Sequence, residues 1–460
     1  MAEYIKKIHF IGIGGIGMSA IAGICVSNGD KVSGSDLRLS NLTQQLAKSG
    51  ALIHEGHDAS NIAKDTDIVV KSTCIRNDNP EIIQAVRLGI NVVSRGQMLR
   101  SIIDKASFSV GITGTHGKTT TTGLISHVLA YCEKDPTVLI GGEVDSFNGN
   151  FKLGHSGMVV AEIDESDGYF RNIKVSAGIV TNIEREHIEN YGSMDNLVEA
   201  YKEFVNRIDE CGFCVYNGED KILDGIIKKS LCKSISFGID KKFDICAHNY
   251  TYAKNIEFDL SAYGSVLGRV KSSLIGRYNL MNILAVVAVG LEIKLDFVQI
   301  AEGIASFKGV KRRFDTVGEF DGIKIIEDYA HHPTEINAVI TAAKNYSLGR
   351  VVSVFQPHRY SRTKDLMKEL TNCFYSADIL ILTDIYSADE EKKKDINARS
   401  IYETLDKTRF EQALFLEKED IPELISGIVK KDDIILVLGA GDIKDISLEI
   451  VREIRNSRID

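Results

Sequence analysis

The chain has 460 residues, 44% hydrophobic and 26% charged, with only 5 prolines. This excludes one compact core and long disordered linkers, and about two to four domains are expected. The net charge of -9 at pH 7 and the absence of a basic stripe exclude a general nucleic-acid binder.

The longest apolar run, around Ile283 to Val289, is too short for a bilayer, which needs about 20 residues. Lys6 and Lys7 lead into a glycine turn and not into the apolar core of a signal peptide. No membrane association and a cytoplasmic location are therefore expected. The 8 cysteines are scattered, as reduced thiols would be. Cys211 and Cys214 form a CxxC with no second pair, which reads as buried thiols in a strand, not a zinc site.

In chain order the elements read as α/β throughout. β-branched runs alternate with helical stretches, as parallel sheets require. The first strand, Lys7–Ile11, runs into Gly12-Ile13-Gly14-Gly15-Ile16-Gly17 and then a helix. Further strands follow at Lys31–Gly34 and Asp67–Val70. Gly-x-Gly-x-x-Gly in this context places a diphosphate on a helix N-terminus, and Asp36 lies where an acid could bond a ribose. NAD and a UDP-sugar satisfy that pattern equally well.

The second region opens with the strand Phe108–Ile112, followed by Gly114-Thr115-His116-Gly117-Lys118-Thr119-Thr120 and a helix. This is a phosphate-binding loop. Amides cradle phosphates, Lys118 reaches the outer ones, and the Thr119 hydroxyl suits Mg²⁺. Ile112 stands where the full Walker pattern has its first glycine. The strand Gly157–Ile163 ends in a burst of acids. Glu162 is the best placed for a cation that favours hard oxygen ligands. For Asp164, Glu165 and Asp167 a solvated loop charge is as good a reading. His187 follows the strand Ala177–Ile183. It suits a metal or a proton, though spacing alone favours a surface histidine.

The third region has strands near Ile323–Glu327, Val351–Phe355, Ile379–Leu382 and Ile434–Leu438. Asp328 to Glu335 and Gln356 to Arg362 each sit at a strand end. The first segment carries His331 and His332, the second Arg359 and Arg362. Arginines so placed suit a carboxylate through bidentate bonds, as of a small amino acid, and structural ion pairs with nearby Asp or Glu are the other reading.

Taken together, these residues resemble the Mur ligase family, over Ile8 to Asp442. The ordered set carries the resemblance: Ile11–Ser19, Ser33–Asp36, Gly114–Thr120, Glu162–Asp167, Thr181–Glu184 with His187, Arg312–Phe314, Tyr329–Glu335, Pro357–Arg362 and Gly439–Ile443. It implies three α/β domains: a Rossmann-like UDP-sugar-binding domain (1–105), a central P-loop ATPase-like parallel-sheet domain that binds ATP (106–311), and a C-terminal Rossmann-like amino-acid-binding domain (312–460). Within the family the pattern is closest to the alanine-adding member. The implied reaction is ATP-dependent ligation of L-alanine to the carboxylate of UDP-N-acetylmuramate through an acyl phosphate, a step of peptidoglycan precursor synthesis.

The resemblance also implies roles. Lys118, Glu162 and His187 are the catalytic set, with Thr119 and Glu162 as ligands of one Mg²⁺ and His187 as a ligand of another, Mn²⁺ being the alternative ion. Gly114 to Thr120, Asn282, Arg313 and Asp328 serve ATP. Gly12, Gly14, Gly15, Gly17, Ser35, Asp36, Ser72 and Thr73 serve the UDP-sugar. Tyr329, His331, His358, Arg359 and Arg362 serve alanine. A monomer or weak homodimer is expected.

Three positions depart from, or discriminate within, the family pattern. Tyr278 replaces the histidine of the adenine motif Gly-x-His-Asn-x-x-Asn. Tyr201 falls where ligases for later amino acids carry a carbamylated lysine. The segment Asp389–Lys394 replaces the usual Pro and Gly residues and reads as a variable loop. The rivals are a murein tripeptide-recycling ligase or folate polyglutamate synthase of the same fold, an NAD-dependent oxidoreductase, and a non-catalytic nucleotide-binding regulator. The oxidoreductase leaves Lys118 and the acid cluster without a role.

Overall fold

The computed structural model describes residues 5–240, 242–388, 390–392 and 396–457. Asp389, Lys393 and Lys394 of the variable segment lie outside the described residues. The strands form three sheets. The first contains β1 (Lys7–Ile11), β2 (Lys31–Asp36), β3 (Leu52–Glu55), β4 (Ile68–Lys71) and β5 (Asn91–Ser94), in the order β3-β2-β1-β4-β5. All its pairs are parallel. β1 is flanked on one side by the strand that follows it and on the other by a later one. Such a switch in strand order opens a crevice at the carboxyl ends of the strands, and the glycine turn leaves β1 there.

The second sheet holds β6 (Phe108–Thr113), β7 (Thr137–Val144), β8 (Gly149–Lys152), β9 (Met158–Glu162), β10 (Ala177–Val180), β11 (Phe213–Asn217), β12 (Lys233–Ile239), β13 (Ile245–Thr251), β14 (Ile256–Ala262) and β15 (Ser265–Ser272). Their order is β15-β14-β13-β12-β11-β10-β6-β9-β7-β8. β6 pairs in parallel with both β10 and β9, so the phosphate loop and the two motifs that follow those strands leave one edge together. β10 ends at Val180, and Thr181–Ile183, expected in the strand, form a loop instead.

The third sheet is β16 (Asp315–Phe320), β17 (Ile323–Asp328), β18 (Val351–Phe355), β19 (Ile379–Leu382), β20 (Gln412–Phe415) and β21 (Ile434–Leu438), in the order β16-β17-β21-β18-β19-β20. β16 pairs antiparallel with β17 here, as β7 does with β8 in the second sheet. Periodicity did not single out these edge strands.

One compact unit runs to Asn249 and takes in Phe258–Val270 and Met281–Phe307. The other takes in Tyr250–Glu257, Lys271–Leu280 and Lys308 onward. Ile283 to Val289 are buried in the helix Arg277–Glu292, and no described helix is long and apolar enough to cross a membrane. The two cysteines of the CxxC part company: Cys214 is buried in β11, but Cys211 is exposed before the strand begins, which corrects the expectation of two buried thiols.

In the first unit the glycine-turn helix, Ile16–Ser27, is buried along most of its length. It packs on β7 and β8 as well as on its own sheet. Asn150 of β8 ties down its first turn, donating from Nδ2 to the Ile16 carbonyl at 2.6 Å and to Ser19 Oγ at 2.9 Å. A Cβ on Gly23 would come within 2.2 Å of the Phe151 ring, so the helix approaches β8 as closely as it does only because that position lacks a side chain. Gly23→Val should therefore lower stability by about 1–3 kcal/mol or more through overpacking. A thermal melt with no loss in the melting temperature would contradict this packing.

Candidate active site

The phosphate loop is built on glycines that cannot be replaced. Gly114 has φ 130, and a Cβ there would lie 2.1 Å from Thr181 Oγ1. Gly117 has φ 83, and a Cβ there would lie 2.6 Å from Asn282 Oδ1, so Asn282 is brought to the loop. The loop is braced by the segment after β10. Asn182 Oδ1 accepts the His116 amide at 2.9 Å, and the His116 carbonyl accepts from Thr181 Oγ1 at 2.6 Å and Asn182 Nδ2 at 3.0 Å. Thr115 Oγ1 accepts the Glu184 amide at 2.8 Å. Thr181 and Asn182 carried the family likeness in the sequence, but their role as the brace becomes visible only here.

The helix Lys118–Tyr131 begins with no side-chain cap, which leaves its first amides for an anion. Thr120 lies in its buried first turn. Lys118 Nζ donates to the Gly114 carbonyl at 2.5 Å and the Thr115 carbonyl at 3.1 Å, and it pairs with Glu165 at 2.9 Å. Burial works against the ammonium, but Glu165, Asp164 and Glu162 outweigh it and raise its pKa. Lys118 therefore stays charged. Burial pushes the Glu165 carboxyl up, Lys118 and His187 pull it down and Asp164 pushes it up, with a net rise. Glu165 is 2% exposed, so the solvated-charge reading does not hold for it.

Glu162 closes the other side. Its Oε1 accepts from Thr119 Oγ1 at 3.1 Å, and its Oε2 accepts the Gly141 amide at 2.7 Å. A hydroxyl and a carboxylate converge on one point, as a hard cation requires. One ligand atom each from Asp164, Glu165 and His187 lies within 4.8 Å of the others, a second group that could hold a metal. His187 has φ 55, and burial lowers its pKa less than Glu189, Glu165, Glu186 and Asp164 raise it. Tyr201 is fully buried, edge-on to Phe170 at 5.0 Å between ring centres.

At the first sheet, Gly12 has φ 79 and lies against Ser72, with Thr73 exposed beside it. Asp36 Oδ2 accepts the Gly14 amide at 2.8 Å. A Cβ on Gly14 would come within 2.9 Å of the same oxygen. Gly15 is the N-cap residue and gives the helix no side-chain cap. Ser35 takes part through its backbone, because its carbonyl accepts the amides of Gly12 and Ile13 at 2.8 and 3.0 Å. Its hydroxyl points the other way, donating to the buried Glu81 at 2.6 Å and lying 2.9 Å from His57 Nδ1. His9 and Asn61 complete that interior network around Glu81, which no motif of the chain singles out.

In the second unit, the ends of β17 and β18 assemble an arginine–aromatic cluster. The Arg312 and Arg313 guanidinium groups lie over the Tyr329 ring at 4.8 and 5.1 Å. Tyr329 meets His331 edge-on at 5.5 Å, and His331 lies 6.0 Å from His358. Arg362 Nη1 is 3.0 Å from His358 Nδ1. Arg359 is held at φ 71, its amide donating to the Tyr386 carbonyl at 2.8 Å. Tyr386 stacks on His358 at 5.6 Å. It was missing from the expected set, although its place after β19 matches that of the other motif loops.

Asp328 accepts the amides of Ala330 and Phe314, each at 2.8 Å. Burial still pushes its carboxyl up to about 6, against the pull of Arg313 and those two amides. Burial and the neighbouring Asp328 likewise raise the Tyr278 phenol. The folded pKa of Asp328 lies above its ordinary 3.8, so the folded chain holds a proton there through that window. Its contribution to stability is full below the window, is lost as pH rises through about 6, and is level above. Carbon-detected NMR of labelled aspartate should show one titration with a midpoint of about 6 that moves upward in Arg313→Ala. A midpoint at the ordinary value would refute the burial argument.

Three family models match the chain in succession: the Mur ligase family, catalytic domain over residues 7–106, the Mur ligase middle domain over 112–290, and the Mur ligase, glutamate ligase domain over 312–441. The chain is 39% identical to the UDP-N-acetylmuramate--L-alanine ligase of Trichlorobacter lovleyi, covering 98% of this chain and 99% of that protein. It is 41% identical to the ligase of the same name from Geobacter sulfurreducens, covering 95% and 96%. The crystal structure of the UDP-N-acetylmuramate-alanine ligase of Thermotoga maritima superposes with a TM-score of 0.84 at 32% identity, covering 98% of this chain and 100% of that one. With likeness of this extent along its whole length, the chain belongs to the Mur ligase family.

Proposed function

We propose that this chain joins L-alanine to the carboxylate of UDP-N-acetylmuramate, with ATP cleaved to ADP and phosphate, in peptidoglycan precursor synthesis. The observation that carries the reading is the full-length likeness to ligases of that name. The site chemistry supports it. A phosphate loop with a charged lysine and a carboxylate paired to it suits phosphoryl transfer and gives an oxidoreductase nothing to use.

In this reading residues 1–105 take the UDP-sugar. The uncapped helix after Gly12, Gly14, Gly15 and Gly17 receives the diphosphate, and Asp36, Ser72 and Thr73 lie beside it. Residues 106–311 take ATP. The amides of Gly114 to Thr120 hold the phosphates, Lys118 leaves the loop carbonyls to reach the outer ones, and Asn282 and Asp328 serve adenine and ribose, with Arg313 beside Asp328. Thr119 and Glu162 would hold one Mg²⁺ or Mn²⁺ and His187 a second, and their oxygen and imidazole donors fit such ions. When bound, the ions would neutralise charge on the triphosphate and on the attacking carboxylate.

The sugar carboxylate attacks the γ-phosphorus and displaces ADP, giving an acyl phosphate. The alanine amine adds to the acyl carbon, and phosphate leaves from the tetrahedral adduct. Lys118 stabilises charge on the transferring group throughout. Residues 312–460 take alanine, with Arg359 and Arg362 on its carboxylate and Tyr329, His331 and His358 around them.

Phosphate release should be measured with ATP, Mg²⁺, UDP-N-acetylmuramate and each amino acid in turn. Release should require the UDP-sugar and be strongest with L-alanine. Lys118→Ala should cut turnover by roughly 100-fold or more with its circular dichroism unchanged. A different preferred amino acid would overturn the substrate assignment, and near-normal turnover by the variant would overturn the phosphate-loop assignment.

A further inference from the structure

Arg95 opens the helix Arg95–Ile103 at the carboxyl end of β5. Ligands of parallel α/β sheets bind along that edge. Its guanidinium reaches beyond its own sheet. Nη2 donates to Asp164 Oδ2 at 2.9 Å and lies 3.5 Å from Asp167 Oδ2, both in the acid loop after β9. Nη1 lies against Gly17, where a Cβ would come within 2.9 Å of it. One side chain therefore touches both the glycine-turn helix and the acid loop. The packing around it is close, since a Cβ on Gly96 would meet the Tyr169 ring at 2.8 Å.

The hydrogen bonding of Arg95 is incomplete. Its Nε is buried and has no acceptor. In a guanidinium, the Nε–H and the adjacent Nη2–H point the same way and form a fork for the two oxygens of one carboxylate. Asp164 engages only the Nη2 arm. It is held off the other arm by Ser166, whose amide donates to Oδ1 at 2.9 Å and whose hydroxyl donates to Oδ2 at 2.8 Å. Asp164 thus keeps partners without Arg95, whereas the Arg95 fork lacks a full one.

We infer that Arg95 is the residue that recognises the carboxylate of the acid-bearing sugar nucleotide. Its Nε–Nη2 fork exchanges Asp164 for the substrate carboxylate, while Nη1 stays against the glycine-turn helix. This rests on the function proposed above and adds a specificity determinant to it. The acceptor carboxylate is then held next to the acid loop whose Glu165 pairs with Lys118. A sugar nucleotide without the carboxylate cannot draw Arg95 from Asp164 and is rejected by that difference.

The test is calorimetric binding to the full chain of UDP-N-acetylmuramate and of UDP-N-acetylglucosamine, which lacks the carboxylate. Wild-type protein should prefer the first by about tenfold or more. Arg95→Gln should bring the two within about threefold, chiefly by weakening the first. Arg95→Lys, which keeps the charge but not the fork, should lose most of the preference as well. Asp164→Asn should keep or strengthen it. Unchanged circular dichroism and melting temperature report that each variant is folded. Preference retained in Arg95→Gln overturns the assignment. So does an Asp164→Asn protein that loses both ligands in parallel with Arg95→Gln, as a purely structural bridge would. A wild type that binds both nucleotides equally overturns the Arg95 assignment and leaves the proposed reaction standing. A wild type that binds neither overturns the proposed reaction and this inference with it.

Discussion

The buried ion pair between Lys118 and Glu165 is the interaction on which the first unit's site depends. Neither charge is sustainable alone at that depth, because an unpaired ion out of water neutralises itself or forces the structure open. Paired, they tie the phosphate loop after β6 to the acid loop after β9, strands that are neighbours in the sheet. The linkage extends further. The Tyr191 hydroxyl donates to the Glu165 carbonyl, and His187 faces the Glu165 carboxylate at 3.9 Å. Asp164 carries the chain of charges on to Arg95, and Arg95 to Gly17. Burial pushes the Asp164 carboxyl up, but Arg95, Lys118 and His187 hold it well below the usual carboxylate range.

This charge network answers a problem set by the composition. The chain is acidic overall, yet the reaction proposed for it gathers a diphosphate, a triphosphate and two carboxylates. A global field cannot attract them, so the attraction has to be local. It comes from uncapped helix starts, where amides point outward, and from single cations set among acids that keep them charged. Strand order places these features. In each sheet the motif loops leave the carboxyl ends of strands near a reversal of order: after β1 in the first, after β6, β9 and β10 in the second, and after β17, β18 and β21 in the third.

The second unit uses a different physics. Arg312, Arg313, Tyr329, His331, His358 and Tyr386 form stacked and edge-on contacts, in which arginine keeps its charge while its flat face is covered by rings. Asp328 stands apart as a carboxylate that burial makes reluctant to ionise, although two amides are aimed at it.

What the sequence by itself determined is what lies contiguous along the chain. Strand–glycine turn–helix units at Gly12 and Gly114, the core strands from Lys7–Ile11 to Ile434–Leu438, and the family likeness all rest on local order and periodicity. The edge strands β8 and β16 were not legible, because their pairing and not their pattern makes them strands. Tertiary structure alone decided which acid of the run after Glu162 meets Lys118, since Asp164, Glu165 and Asp167 looked alike as loop charges and the register of β6 against β9 separates them. It alone turned the Ser35 hydroxyl inward to Glu81, set Tyr386 on His358 and sent Arg95 across to Asp164. Each of these pairs is far apart in sequence, and a contact of that kind is chosen by which strands neighbour each other, a property of the whole fold that no local stretch encodes.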